Sequence, residues 1–178
     1  HLVDPYFYPI YEETTRLNMA VAVHIANGSP QLLEQFKPRY DKMGGFAQFR
    51  IPTVITCLSL MMSEVPKQFP QLRWAFVEAS AQWVPWVVKE AMRRSGTKGF
   101  PKLPFKEFNI YVTTETNDDF DFILRYAGED NLVIGTDYGH TDASSEVDAL
   151  DIFRANDSVP DPIKKKILDD NPRSLYGL

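Results

Sequence analysis

The sequence predicts an α/β fold with a parallel sheet, about half of an eight-unit (β/α) barrel, and three observations lead there. Four short apolar runs, at residues 19–25, 73–78, 109–114 and 131–136, each precede a stretch of helical periodicity. The resulting order βαβαβαβα requires strands that run parallel. The run at 19–25 is continuously apolar with β-branched residues, the pattern of a strand covered on both faces in a parallel sheet. No Gly-rich phosphate turn follows the first run, since Asn27-Gly28-Ser29-Pro30 holds a single glycine. A doubly wound nucleotide-binding sheet usually carries such a turn, so half a barrel is the better match.

Asp4-Pro5 starts the first helix, with Asp as N-cap and Pro in the first helical position. Phe7, Ile10 and Tyr11, with Thr14, then share one face up to about Asn18. Residues 19–25 form the first strand, ending on His24. A short helix is expected at 31–36, and 46–63 reads as a long apolar helix that Pro52 kinks or restarts. The later strands lead into helices at 83–94, 118–126 and 145–154. Residues 96–108, with three Lys and two Pro, make the one long irregular stretch. Helices at 161–168 and 171–176 close the chain. No repeat or linker interrupts it, so residues 1–178 read as one domain.

With 44% hydrophobic and 24% charged residues the chain is ordinary for a folded globular protein, which removes disordered and coiled-coil readings. The net charge is −5 and Lys/Arg gather only weakly, at 39–42, 93–102 and 164–166. Nucleic acid is therefore not an expected partner, because phosphate contacts need a dense basic face. No apolar run reaches the roughly 18 residues of a membrane helix, and residues 1–9 lack a leader pattern, so no membrane is expected and the location reads as cytoplasmic. The single cysteine, Cys57, lies in an apolar run and reads as a small buried hydrophobe. The chain starts on His1, directly before a helix signal, which points to residues upstream that were removed or not included.

In parallel α/β folds, functional groups gather where the strands end. Four residues satisfy that condition here: His24, Glu78, Glu115 and Asp137. A neutral imidazole at His24 would point a ring nitrogen into the barrel mouth as a metal ligand, although a strand-end histidine standing alone is more often structural. Asp137 would bind a metal or move a proton, against the ordinary reading of an Asx-turn or helix cap. Glu115, beside Thr113 and Thr114, reads as part of a structural hydrogen-bond network.

The string Gly135-Thr-Asp-Tyr-Gly-His-Thr-Asp142 resembles the Ser-Ser-Asp-Tyr-Pro-His-x-Asp signature on the last barrel strand of amidohydrolase-related proteins, with Thr136 in place of Ser and Gly139 in place of Pro. Other segments agree in order and spacing: Asp4-Pro-x-Phe-x-Pro-Ile-Tyr-Glu12, Val21-x-Val-His24, Phe69-Pro-x-Leu-Arg73, Phe76-Val-Glu78 with Trp83, and Asn171-Pro-x-x-Leu-Tyr-Gly177. The resemblance covers nearly the whole chain. It implies a metal-dependent hydrolase-type TIM barrel, of which this chain is the C-terminal half, similar to aminocarboxymuconate-semialdehyde decarboxylase and hydroxybenzoate-type decarboxylases.

In such proteins a divalent metal, zinc or manganese, is held by a His-x-His pair on the first strand, a His on the fifth and an Asp on the eighth. The resemblance implies that His24 and Asp137 are the fifth- and eighth-strand ligands and the catalytic residues. No counterpart of the His-x-His pair exists here, the three histidines being His1, His24 and His140. Two ligands fall short of the usual three or four, so this chain by itself is expected to hold a metal weakly or not at all.

Glu78 stands on the sixth strand, where several relatives place a His. It reads as a ligand, an acid/base, a substrate contact or, by a small margin, an ion-pair partner of Arg50 or Arg73. His140 would bind a substrate carboxylate or orient Asp137. Trp83 belongs with Trp86, Val87 and Ala91 to a helical stripe that is usually core, or it caps the pocket over the substrate.

The expected function is that of a fragment of a decarboxylase or hydrolase acting on a small carboxylated or aromatic compound. The alternative is a non-catalytic half-barrel module that has lost its metal site. Half a barrel exposes two sheet edges and a cut apolar face, so self-association or pairing with an N-terminal half is expected.

Overall fold

The structure of the protein is a computed structural model, and it describes residues 1–25, 30–36, 46–96, 99–140 and 145–178. The turn at 27–28, the basic group 39–42 and the end of the signature at Thr141 and Asp142 lie outside the described residues.

Asp4 caps the chain start as its sequence implies, its carboxyl accepting the Tyr6 N–H, and a 3-10 turn at Pro5–Phe7 leads into α1 (Tyr8–Arg16). Tyr11 is the buried residue of this helix and meets Phe69 and Trp74 edge-on, whereas Ile10 is exposed. Strand β1 (Ala20–His24) follows, then α2 (Pro30–Phe36). The long apolar segment is divided as Pro52 foretells: a π-helical turn at Phe46–Arg50 gives way to α3 (Ile51–Met61), with the proline in its first turn, where no N–H is missed. Cys57 in this helix is fully buried, and burial pushes its thiol well above the ordinary value. After α4 (Val65–Gln68) come β2 (Arg73–Val77), α5 (Val84–Ser95), α6 (Pro104–Glu107), β3 (Ile110–Thr114), α7 (Phe120–Ala127) and β4 (Leu132–Ile134). The chain ends with α8 (Ala149–Arg154), α9 (Asp161–Lys165), a π-helical turn at Lys166–Asp170 and α10 (Asn171–Tyr176).

The four strands pair in parallel in the order β1-β2-β3-β4. Their register aligns Val23, Phe76, Val112 and Leu132 in one row across the sheet. Because side chains alternate along a strand, this row and Trp74 with Ile110 face the helices. There they meet Phe105, Phe120, Phe153 and Ile167 in the main core. Burying each such ring or branched chain stabilises the fold by about 1.5–3 kcal/mol. The opposite face carries Ala75, Tyr111 and Val133, which cluster with Leu175 of α10.

Three expectations need correction, one being that residues 96–108 are irregular, since α6 (Pro104–Glu107) lies within them. The first strand is not covered on both faces: Ala22 is exposed and its neighbours are half-buried, because β1 forms an edge of the sheet. The helix expected at 145–154 begins at Ala149; the residues before it run as a connection whose Glu146 N–H donates back to the Thr136 carbonyl.

Candidate active site

The carboxyl ends of all four strands open onto one cleft of about 200 Å³, lined by His24 from β1, Val77, Glu78 and Ser80 from the end of β2, Thr113, Thr114 and Glu115 from β3, and Gly135 and Asp137 after β4. His24, Val77, Thr113 and Gly135 reach it by the same alternation that sends their neighbours to the helices. A larger cleft of about 510 Å³, lined by Met61, Glu64, Phe100 and Phe108 among others, lies beside residues that precede β2 and β3. It sits at the end of the sheet where parallel α/β folds seldom place chemistry, so the smaller cleft is the candidate.

Within it, His24 Nε2 lies 2.7 Å from Glu78 Oε2. The Glu78 side chain is only 8% exposed, while His24 is open to solvent. The other ring nitrogen of His24 faces the Ile25 carbonyl. Both ring nitrogens of His24 thus face oxygen atoms, which together hold the ring in place. Beyond Glu78, His140 Nδ1 lies 3.0 Å from Asp137 Oδ2 and 3.8 Å from Glu78 Oε1. One donor atom from each of Glu78, Asp137 and His140 falls within 4.8 Å of the others. Two carboxylates and one imidazole on such a scale form a donor set that suits zinc or manganese, and His24 meets that group through Glu78.

The backbone here is unusual. Glu78, Ser80 and Asp137 all have φ between +49° and +65°, a left-handed conformation that costs a side-chain-bearing residue roughly 1–2 kcal/mol. It turns each carboxyl-bearing residue sharply as it leaves its strand and aims the side chain back over the sheet end. Strained backbone of this kind clusters where function requires it.

The sequence-derived candidates are thus brought together in part. His24, Glu78 and Asp137 share the cleft, and His140 joins Asp137 at its rim. The preferred reading of Glu78 as partner of Arg50 or Arg73 is corrected: Arg50 bonds Glu115 at 2.9 Å, and Arg73 bonds Asn18 and the Leu175 carbonyl. Trp83 sits beneath the cleft, its ring against Phe76 and Phe105 and its Nε1–H donating to the Ser80 carbonyl at 2.7 Å. Asp118, which the sequence offers only as the beginning of a helix, is a buried carboxyl joining the loops after β2 and β3. An Asp three residues beyond a strand-end Glu, ahead of a helix, was the available signal.

A model of the amidohydrolase family described as "Amidohydrolase" matches residues 1–178. The chain belongs to the amidohydrolase family. Solved structures share its fold at low identity. A 5-carboxyvanillate decarboxylase from Sphingomonas paucimobilis superposes with a TM-score of 0.77 and 18% identity, over 100% of this chain and 55% of that one. A dihydroxybenzoic acid decarboxylase from Polaromonas sp. JS666, with bound manganese and the inhibitor 2-nitroresorcinol, gives 0.78 and 22%, over 100% and 55%. A 2,6-dihydroxybenzoate decarboxylase from Rhizobium gives 0.77 and 22%, over 99% and 57%. This amidohydrolase chain therefore spans about half the length of the solved structures it matches. No curated protein matches it. Among the described residues, no helix of this amidohydrolase is long and apolar enough to cross a membrane.

Proposed function

We propose that this chain is the C-terminal half of a metal-dependent amidohydrolase that decarboxylates or hydrolyses a small carboxylated or aromatic compound. The observation that carries the reading is the convergence of His24, Glu78, Asp137 and His140 at one end of the sheet, with Glu78 and Asp137 in left-handed backbone. Three structural neighbours are named as decarboxylases of aromatic acids, one of them with bound manganese, and this supports the substrate class and the metal.

His24 and Asp137 would hold a zinc or manganese ion, with Glu78 and His140 at its side. When bound, the metal supplies a Lewis acid that polarises substrate oxygen or lowers the pKa of water. Asp137 then moves the proton to or from the substrate, and His140, bonded to its Oδ2, orients the carboxylate for that transfer. Glu78, shielded from solvent with Oε2 2.7 Å from His24 Nε2, would offer the ion a further oxygen there. The rival module without catalysis would leave these groups dispersed, and their gathering in one cleft favours the enzyme.

The test is release of carbon dioxide from a panel of hydroxylated benzoates, and hydrolysis of the corresponding amides and esters, by the intact protein loaded with manganese or zinc. Turnover that a chelator abolishes and added metal restores is the expected result. No turnover of either kind by metal-loaded protein across the panel would overturn the reading.

A further inference from the structure

The turn that carries Glu78 is stapled from outside. Asp118, 6% exposed, lies in the loop after β3 and accepts three hydrogen bonds. The Ser80 hydroxyl donates to Oδ1, and the backbone N–H groups of Ala81 and Glu115 both donate to Oδ2 at 2.9 Å. Two of these partners belong to the turn after β2 and the third to the end of β3, so one carboxyl joins both loops. The Ser80 hydroxyl also accepts the Gln82 N–H at 3.2 Å, and its carbonyl takes the Trp83 indole N–H.

Inside this turn Glu78 and Ser80 have φ of +65° and +57°. Residues with side chains persist in that region only where their surroundings over-determine it. The strain must be offset close by, and Asp118 holds the turn at two points within three residues of Glu78.

We propose that Asp118 is a positioning residue: by fixing Ser80 and Ala81 it keeps the Glu78 backbone left-handed and the Glu78 carboxyl against His24 Nε2. Its effect on metal rests on the function proposed above; its hold on Glu78 does not.

The experiment compares crystal structures and manganese affinities, the latter by calorimetric titration, of the intact protein as wild type, Asp118→Asn, Asp118→Ala and Glu78→Gln. In Asp118→Asn the amide oxygen can accept both backbone N–H groups while the amide nitrogen donates to Ser80. Glu78 should stay at His24, and manganese affinity should remain within about threefold. In Asp118→Ala the Glu78 carboxyl should move beyond hydrogen-bond reach of His24, more than about 3.5 Å away. Affinity should then fall about tenfold, as for Glu78→Gln, and the double variant should lose no more than either alone.

Glu78 still bonded to His24 in a folded Asp118→Ala protein would overturn the proposal, as would equal displacement in Asp118→Asn. If Glu78 moves but the wild type takes up no manganese, the metal reading falls and the positioning role stands. Should the alanine variant not fold, Ser80→Ala removes the hydroxyl arm alone, and Glu78 in its parental place there overturns the proposal.

Discussion

Asp137 has a φ of +49°, and this backbone decides which substitution can test its chemistry. Asparagine tolerates the left-handed region better than most residues and can still accept a hydrogen bond from His140. Asp137→Asn therefore keeps the local shape and removes the capacity to carry a proton. A loss of turnover on the order of a hundredfold or more is expected in the intact protein, with melting temperature nearly unchanged. Near-normal turnover with a lowered melting temperature would make Asp137 a turn residue, whose loss costs about 1 kcal/mol. The places of His24 and Asp137 at the cleft were legible in the sequence because each follows an apolar run. The partnership of His24 with Glu78 was not, because they stand 54 positions apart in the sequence and only the β1–β2 register brings them together. Asp118 was hidden for a further reason, since a buried carboxyl that binds backbone N–H groups has no spacing pattern to betray it.

The helices and strands followed their local signals wherever those signals were local chemistry. Asp4 caps and Pro52 restarts as their side chains dictate, while the exposure of β1 depends on which strand lies beside it, and nothing within residues 20–24 encodes that. Two contacts tie the last helices to the sheet. Asn171, 4% exposed, donates from Nδ2 to the Glu129 carbonyl at 2.8 Å and the Leu132 carbonyl at 2.7 Å. Asn171→Ala leaves buried carbonyls without their donor and should cost about 1–3 kcal/mol in urea unfolding; a change below about 0.5 kcal/mol would contradict this role.

The second tie is Asp130, which bonds Lys106 before β3 and Lys166 in the closing helical segment. The Lys106 bond above all, then the Lys166 bond, holds the Asp130 carboxyl below its ordinary value. A depressed carboxyl contributes stability above its unfolded pKa, about 3.9, and loses it as pH falls through the folded value. The melting-temperature difference between wild type and Asp130→Asn should thus be steady from pH 7 to about pH 4 and close below that. A difference that does not change with pH would remove Asp130 from the account.

At the scale of the whole molecule, β1 and β4 each pair on one side only among the described residues, while the face bearing Tyr111 and Val133 is buried with Leu175. Unpaired strand edges recruit other strands, so the 178-residue chain by itself should self-associate or bind a separately made N-terminal half. Sedimentation at micromolar concentration checks this; a clean monomer that ignores the other half would count against it. The (β/α) class was legible because order and apolar periodicity are properties of sequence. The shape of the cleft was not, because it depends on how four strand ends turn over one another.

Whether the strand ends form a metal site is read most directly by anomalous diffraction at the manganese edge. Crystals of the intact protein grown with manganese should show one strong peak at the mouth of the cleft, about 2.0–2.2 Å from His24 Nε2 and an Asp137 carboxylate oxygen, with Glu78 and His140 adjoining. No peak there, or a peak only at surface carboxylates away from β1 and β4, would contradict the account.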